Sequence, residues 1–173
     1  MAIRRILWYP DPQLMEQCAP VGDSTSELAE LFRDLSDTMF AHNGAGLAAP
    51  QIGILKRVFV IDPVVAGLSE QDAPLLFVDP QIEWLSDETE VSDEGCLSFP
   101  GIYVPIRRAL KARTRARDVE GKGFEVEGEG LFARAMQHEK DHLDGTLITD
   151  HVGRLKRKMI RRKMERETQS RDD

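Results

Sequence analysis

His138-Glu139-Lys140-Asp141-His142 sets two histidines four residues apart, with a glutamate directly after the first. On a helix this spacing puts both imidazoles on one face, one turn apart, where they can share a single metal ion. Such a pair constrains the fold. Its helix must turn that face inward, and another element must deliver a third ligand, leaving a further position open for chemistry. The helix is predicted over about Gly130–Asp144, because Leu131, Ala135, His138 and His142 share one stripe and Gly145 stands where a left-handed cap is expected. Glu139 is then the candidate general base toward water activated by the metal. The same five residues also fit a surface helix of solvated side chains, and the inward stripe argues against that reading.

The rest of the chain reads as helix, strands, then helices. Ser24-Thr25-Ser26-Glu27 has the form of a capping box, and Leu28, Leu31, Leu35 and Met39 follow at helical spacing with Gly44 as a stop. A helix from about Thr25 to His42 is predicted. Arg57–Ile61, Leu75–Val78, Ile82–Leu85, Ile102–Ile106 and Leu110–Arg117 read as strands. In the last, Lys111, Arg113, Arg115 and Arg117 alternate with Ala112, Thr114 and Ala116, giving one basic and one small-residue face. Glu120-Gly121-Lys122-Gly123 turns the chain into Phe124–Glu127, which is expected to pair back as a hairpin. No repeat or low-complexity segment interrupts the pattern, so one α+β domain over residues 1–173 is expected.

Composition excludes several classes. At 173 residues and 41% hydrophobic, the chain can bury a core of its own. A net charge of −7 argues against general nucleic-acid binding, so the basic strand face is read as solvated. No run of eighteen apolar residues is present, which excludes a membrane-spanning helix. Met1 to Pro12 carries early positive charge without an apolar core, so no secretory signal is expected and the compartment is read as cytoplasmic. Cys18 and Cys96 are the two cysteines, a sparse count that suits a reducing cytosol.

Two sources for a third metal ligand remain open at this point. One is Cys96, in Glu94-Gly95-Cys96-Leu97-Ser98, a strong ligand as its thiolate. The other is a downstream glutamate, Glu165 or Glu167, as in many metallopeptidases. Cys18 is read as structural, and His42 and His151 as ordinary surface or helix-end residues.

Three segments together carry a resemblance. Gly44-Ala45-Gly46-Leu47-Ala48-Ala49-Pro50-Gln51, Glu94-Gly95-Cys96-Leu97-Ser98 and Gln137-His138-Glu139-Lys140-Asp141-His142-Leu143-Asp144-Gly145 are similar, in order and spacing, to the three motifs of peptide deformylases. The likeness runs from Pro10-Asp11-Pro12 to the C-terminal segment. It implies antiparallel β-sheets packed around a central helix bearing the histidines, with an N-terminal and a C-terminal helix. It implies a metal-dependent hydrolase that removes the formyl group from the N-terminal formyl-methionine of newly made proteins and releases formate.

Carried onto these residues, the resemblance makes Cys96, His138 and His142 the metal ligands and Glu139 the acid/base. It sets the Gln51 side-chain amide and the Leu97 backbone N–H at the formyl oxygen, where donors of this kind are each worth about 10²–10³ in turnover. The backbone of Ala45, Gly46 and Gly95 would pair with substrate as an added strand. Leu131 and Arg134 would line the pocket for the methionine side chain. Ferrous iron is the implied working metal, with zinc, nickel or cobalt able to replace it.

Two features depart from the expected pattern. Arg134 stands where an aliphatic residue is expected, either lining the pocket with its stem or reaching along the cleft to a substrate carbonyl or carboxylate. Pro100-Gly101-Ile102-Tyr103-Val104-Pro105 is a short segment lacking an arginine that some relatives carry there.

The segment Arg154–Arg166 holds 8 of the chain's 23 Lys/Arg and 1 of its 30 acids. It is expected as an amphipathic helix over about residues 152–169, docked by Leu155, Met159 and Ile160 with a basic face outward. A cap helix with a solvated basic face explains these charges equally well, whereas the resemblance implies that this face meets ribosomal RNA near the nascent chain; a monomer is expected. Two other classes stay in view: a metallopeptidase using Glu165 or Glu167 as third ligand, and a non-catalytic binding protein. Intact Glu139 and Gln51 argue against the latter.

Overall fold

Strand β2, Val58–Ile61, is apolar at every position and buried on both faces, and this organises the fold. Val58 and Val60 face one side, packing with Leu35 and Met39 of helix α1, Leu28–Ala41. Phe59 and Ile61 face the other, packing with Ala133 and Met136 of helix α2, Leu131–Leu143. A sheet covered on both faces must read as a continuous apolar run at its centre, and β2 does. The structure, a computed structural model, describes residues 3–173. The expectation about the N-terminal segment begins at Met1 and Ala2, which lie outside the described residues.

Five antiparallel strands form the covered sheet in the order β1-β2-β3-β6-β7, with β1 at Gly46–Ala48, β3 at Leu75–Leu85, β6 at Lys111–Arg117 and β7 at Gly123–Glu129. Strands β4, Thr89–Cys96, and β5, Phe99–Ala109, make a separate two-stranded sheet. The small-residue face of β6 lies under α2, where Ala112 and Ala116 let the helix approach closely. Its basic face is solvated: Arg115 pairs with Glu83 at 3.0 Å and Arg113 lies over the Trp84 ring. A third apolar cluster joins Phe99, Val104 and Ile106 of β5 to Tyr9, Leu147 and helix α3, Arg154–Asp172.

Several boundaries differ from the sequence expectation. Helix α1 begins at Leu28, and its N-cap Glu27 makes no side-chain capping bond, so the expected capping box is not formed. Asn43, at φ 55°, makes the left-handed turn after α1 in place of Gly44. Leu75–Val78 and Ile82–Leu85 belong to one strand with a register shift at its middle. Asp79 there adopts φ 48°, held by its carboxylate accepting from the Val21 and Gly22 N–H groups and from Arg117. Pro80, with no N–H to give the ladder, is tolerated at such a bulge. Strand β4 was not expected at all, since its Glu, Asp and Ser residues show no apolar alternation.

Helix α3 docks through Ile160 and Met164, while Leu155 and Met159 are exposed, contrary to expectation. The seam lies one turn further along than the sequence suggested. Helix α2 closes at Gly145, φ 74°, which lies so tightly on the Pro12–Met15 turn that a Cβ would sit 2.5 Å from the Met15 carbonyl oxygen.

Candidate metal centre

Helix α2 carries His138 and His142 on its inward face, and β4 ends at Cys96 directly opposite. The Cys96 Sγ, His138 and His142 donor atoms lie within 4.8 Å of one another. Sγ is 3.4 Å from His142 Nε2, and the two Nε2 atoms are 3.2 Å apart. Three protein donors at such spacing are what a four-coordinate site with one open position requires. Thiolate and imidazole together suit a divalent ion of borderline softness. Glu165, by contrast, is paired with Arg161 on the exposed side of α3, and Glu167 is exposed. The glutamate alternative for the third ligand is thereby corrected, since the cluster that could hold a metal consists of Cys96, His138 and His142.

The orientation of His138 comes from Glu94. His138 Nδ1 donates to Glu94 Oε1 at 2.8 Å, which turns Nε2 toward the cluster. Glu94 is buried and also receives Arg108 through Nε at 2.8 Å and Nη2 at 3.0 Å, and Arg134 Nη1 at 2.6 Å. Arg108 Nη1 continues to Asp141 at 2.7 Å, and Asp141 meets His151. Burial opposes ionisation of Glu94, but its bonds to His138 and Arg108 prevail and hold the carboxyl far below the usual range.

The guanidinium of Arg134 reaches neither water nor substrate, as either sequence expectation would have it. Its guanidinium is spent on Glu94 and on the Ile106 and Glu90 carbonyls, and it is unavailable to substrate. Its chain still lines the cleft, beside Leu131. Leu131 is 60% exposed at the start of α2, so the stripe it shares with the histidines ends in the cleft and not in the core.

Burial resists charging His138, yet bonds to Cys96 and Glu94 outweigh it and raise its pKa well above the ordinary value. Burial and then the charge of His138 push His142 well below it. The two neighbouring imidazoles are thus driven in opposite directions.

Glu139 lies beside the ligands. Burial, only partly offset by His138, pushes its carboxyl up to about 7. Its Oε1 is buried with no hydrogen-bond partner among the described residues. A Cβ on Gly46 would stand 2.8 Å from Oε2, so only glycine lets β1 run against this carboxyl. Gln51 is buried, its Oε1 accepting from the Ala48 N–H at 3.0 Å. Its Nε2 reaches Ser98 Oγ at 3.1 Å and faces Cys96 Sγ at 3.6 Å.

A cleft of about 620 Å³ opens onto this cluster, lined by Ala45, Gly46, Gly95, Leu97, Leu131 and Arg134 among others. The residues singled out in the sequence thus converge, with His142 behind the wall. His42, read from sequence as ordinary, also borders the cleft. Glu94, Arg108 and Asp141 escaped the sequence reading as a network.

The Polypeptide deformylase family profile matches residues 3–158. Peptide deformylase of Alkalilimnicola ehrlichii is 46% identical, covering 96% of this chain and 91% of the relative. That of Phenylobacterium zucineum is 44% identical, covering 96% and 97%. The crystal structure of a peptide deformylase from Legionella pneumophila superposes with a TM-score of 0.90 at 41% identity, covering 99% and 98%. One from Ehrlichia chaffeensis in complex with actinonin superposes at 0.89 with 31% identity, covering 96% and 98%. A cysteine and two histidines converging in a cleft, and a family match along nearly the whole length, lead to one assignment: the chain belongs to the peptide deformylases, metal-dependent hydrolases that remove the N-formyl group from nascent peptides.

Proposed function

We propose that the cleft at Cys96, His138 and His142 is the deformylation site, with these three residues as the metal ligands. The observation that carries this reading is the convergence of the three donor atoms beside the buried Glu139 carboxyl. Ferrous iron is the proposed working metal, with zinc, nickel or cobalt able to replace it. Bound there, the ion supplies Lewis acidity toward the formyl carbonyl and acidifies water.

The remaining steps belong to the chain. Glu139 takes a proton from the attacking water and returns it to the departing amine. The Gln51 amide and the Leu97 N–H donate where negative charge gathers on the formyl oxygen. Ala45, Gly46 and Gly95 pair with the peptide backbone as with an added strand. Leu131 and the stem of Arg134 border the methionine side chain. Anaerobically purified, iron-loaded protein is expected to release formate from a formyl-methionyl peptide, and absence of formate from the loaded protein would sink the proposal.

The thiols give an independent check on the ligand set. Burial, partly offset by Arg57, raises the Cys18 thiol to about 11, whereas Cys96 borders the cleft. Alkylation of metal-free folded protein at pH 8 is expected to modify Cys96 and spare Cys18, with added metal protecting Cys96. Mass spectrometry of the two cysteine peptides reads the result. Unchanged labelling of Cys96 on adding metal contradicts its role as ligand.

We further propose that the chain acts as one monomeric cytoplasmic catalytic domain whose basic C-terminal helix, assigned to 152–169 from sequence, meets the ribosome. The exposed face of α3 carries Lys158, Arg162, Lys163 and Arg166 with no carboxylate partner among the described residues, near exposed Leu155 and Met159. Changing those four cations to Gln is expected to weaken ribosome co-sedimentation and flatten its salt dependence. Co-sedimentation equal to that of the parent at every salt concentration would refute the ribosome contact.

A further inference from the structure

One wall of the cleft comes from outside the three motif segments. Ile6 and Trp8 supply it from the N-terminal stretch, and Arg171 from the last turn of α3. The Arg171 guanidinium carbon lies over the Trp8 ring, 3.9 Å from its centroid, and Nη1 donates to the Ile6 carbonyl at 2.9 Å. An arginine has five N–H donors, so most of this fork remains uncommitted.

The neighbouring charges leave it without a counter-ion. Asp172, next in sequence, is bonded to Arg5 at 2.6 Å. No carboxylate among the described residues forms an ion pair with Arg171. Burial, and then the charge of Arg5, disfavour its ionised form, a situation that an incoming carboxylate relieves. Arg134 is bound to Glu94 and to the Ile106 and Glu90 carbonyls, and Asp93 and Glu94 on the cleft are acidic.

We propose that Arg171 is a specificity residue of the deformylation site, pairing with a carboxylate side chain located downstream of the formyl-methionine. The proposal rests on the reading of this cleft as the peptide site. With the formyl end fixed at Cys96, His138 and His142, later residues of a peptide in the same cleft run along its remaining walls, including that of Ile6, Trp8 and Arg171. A planar fork already held on an aromatic face is suited to a carboxylate, and loses less freedom than a solvated lysine on binding one.

The test uses iron-loaded full-length protein and formyl-methionyl pentapeptide amides of alanine, each with Glu or Gln at one of positions two to five. Turnover of the all-alanine peptide tests the reading of the site itself, and the Glu-to-Gln ratio tests Arg171. At one position Glu is expected to exceed Gln about fivefold in kcat/KM, expressed in KM and shrinking with added salt. In Arg171→Gln and Arg171→Met, each compared with itself, that ratio is expected to fall to near one, and in Arg171→Lys to persist in part. A parent enzyme that does not distinguish Glu from Gln at any position overturns the proposal. So does a ratio that survives in either neutral variant, or one in the parent that is indifferent to salt.

Discussion

Glu139→Gln is expected to lower the rate of formate release by about 10²–10⁴ while the protein keeps its metal. The amide has the size of the carboxyl, so it fits beneath the Gly46 backbone without moving β1. It cannot accept the proton. Metal content measured alongside kcat separates this loss from a damaged site, and turnover within tenfold of the parent would remove Glu139 from the mechanism.

A stability change of opposite sign accompanies the loss. The carboxyl is raised in the folded protein from its usual 4.5 to about 7, so the folded state binds this proton more tightly than the unfolded one. The folded state therefore loses stability as pH rises through that window, and the penalty is complete above about pH 7. Metal-free Glu139→Gln should then be the more stable protein at pH 8, by about 1–3 kcal/mol, and the difference should fade toward pH 4.5. Thermal melts of both proteins at the two pH values read it directly. The residue proposed to work on water is thus one whose charge the metal-free fold resists.

How much of this was legible in the sequence depended on how local each signal was. The histidine pair is written in a five-residue helical repeat, and the stripe around it correctly turned the helix inward. Cys96 could be proposed as ligand because its segment had a recognisable form, while its competitors Glu165 and Glu167 had only charge to offer. Strand β4 gives no signal because its ladder partner supplies the order and all its side chains before the buried Glu94 face water. The seam of α3 was misplaced by one turn, since Leu155 and Ile160 are both plausible anchors until the body they dock on is known. For Arg134 the sequence offers two roles in the cleft; its stem does line it, while its guanidinium serves Glu94. Its partner Glu94 lies 40 residues away in sequence, and nothing near either residue announces the pair.

That pair leads to the largest structural effect expected here. Glu94→Ala should destabilise the fold by about 3–5 kcal/mol, because removing one member of a buried ionic group strands the others. Glu94 is 5% exposed and its one carboxylate bonds to Arg108, Arg134 and the His138 ring at once. Arg134→Met should cost less, since Glu94 keeps its two-point contact with Arg108 and its bond to His138. Glu94→Gln separates charge from orientation. Its amide oxygen still accepts from His138 Nδ1, yet it no longer balances two guanidinium groups. Loss of the carboxylate should also weaken metal binding about 10–100-fold, because it lowers the basicity of a ligating imidazole and loosens its ring. Denaturant midpoints of metal-free protein measure the first effect, and competition with a chelator measures the second. A Glu94→Gln protein that held metal as tightly as the parent would show that the position of the His138 ring matters and the charge behind it does not.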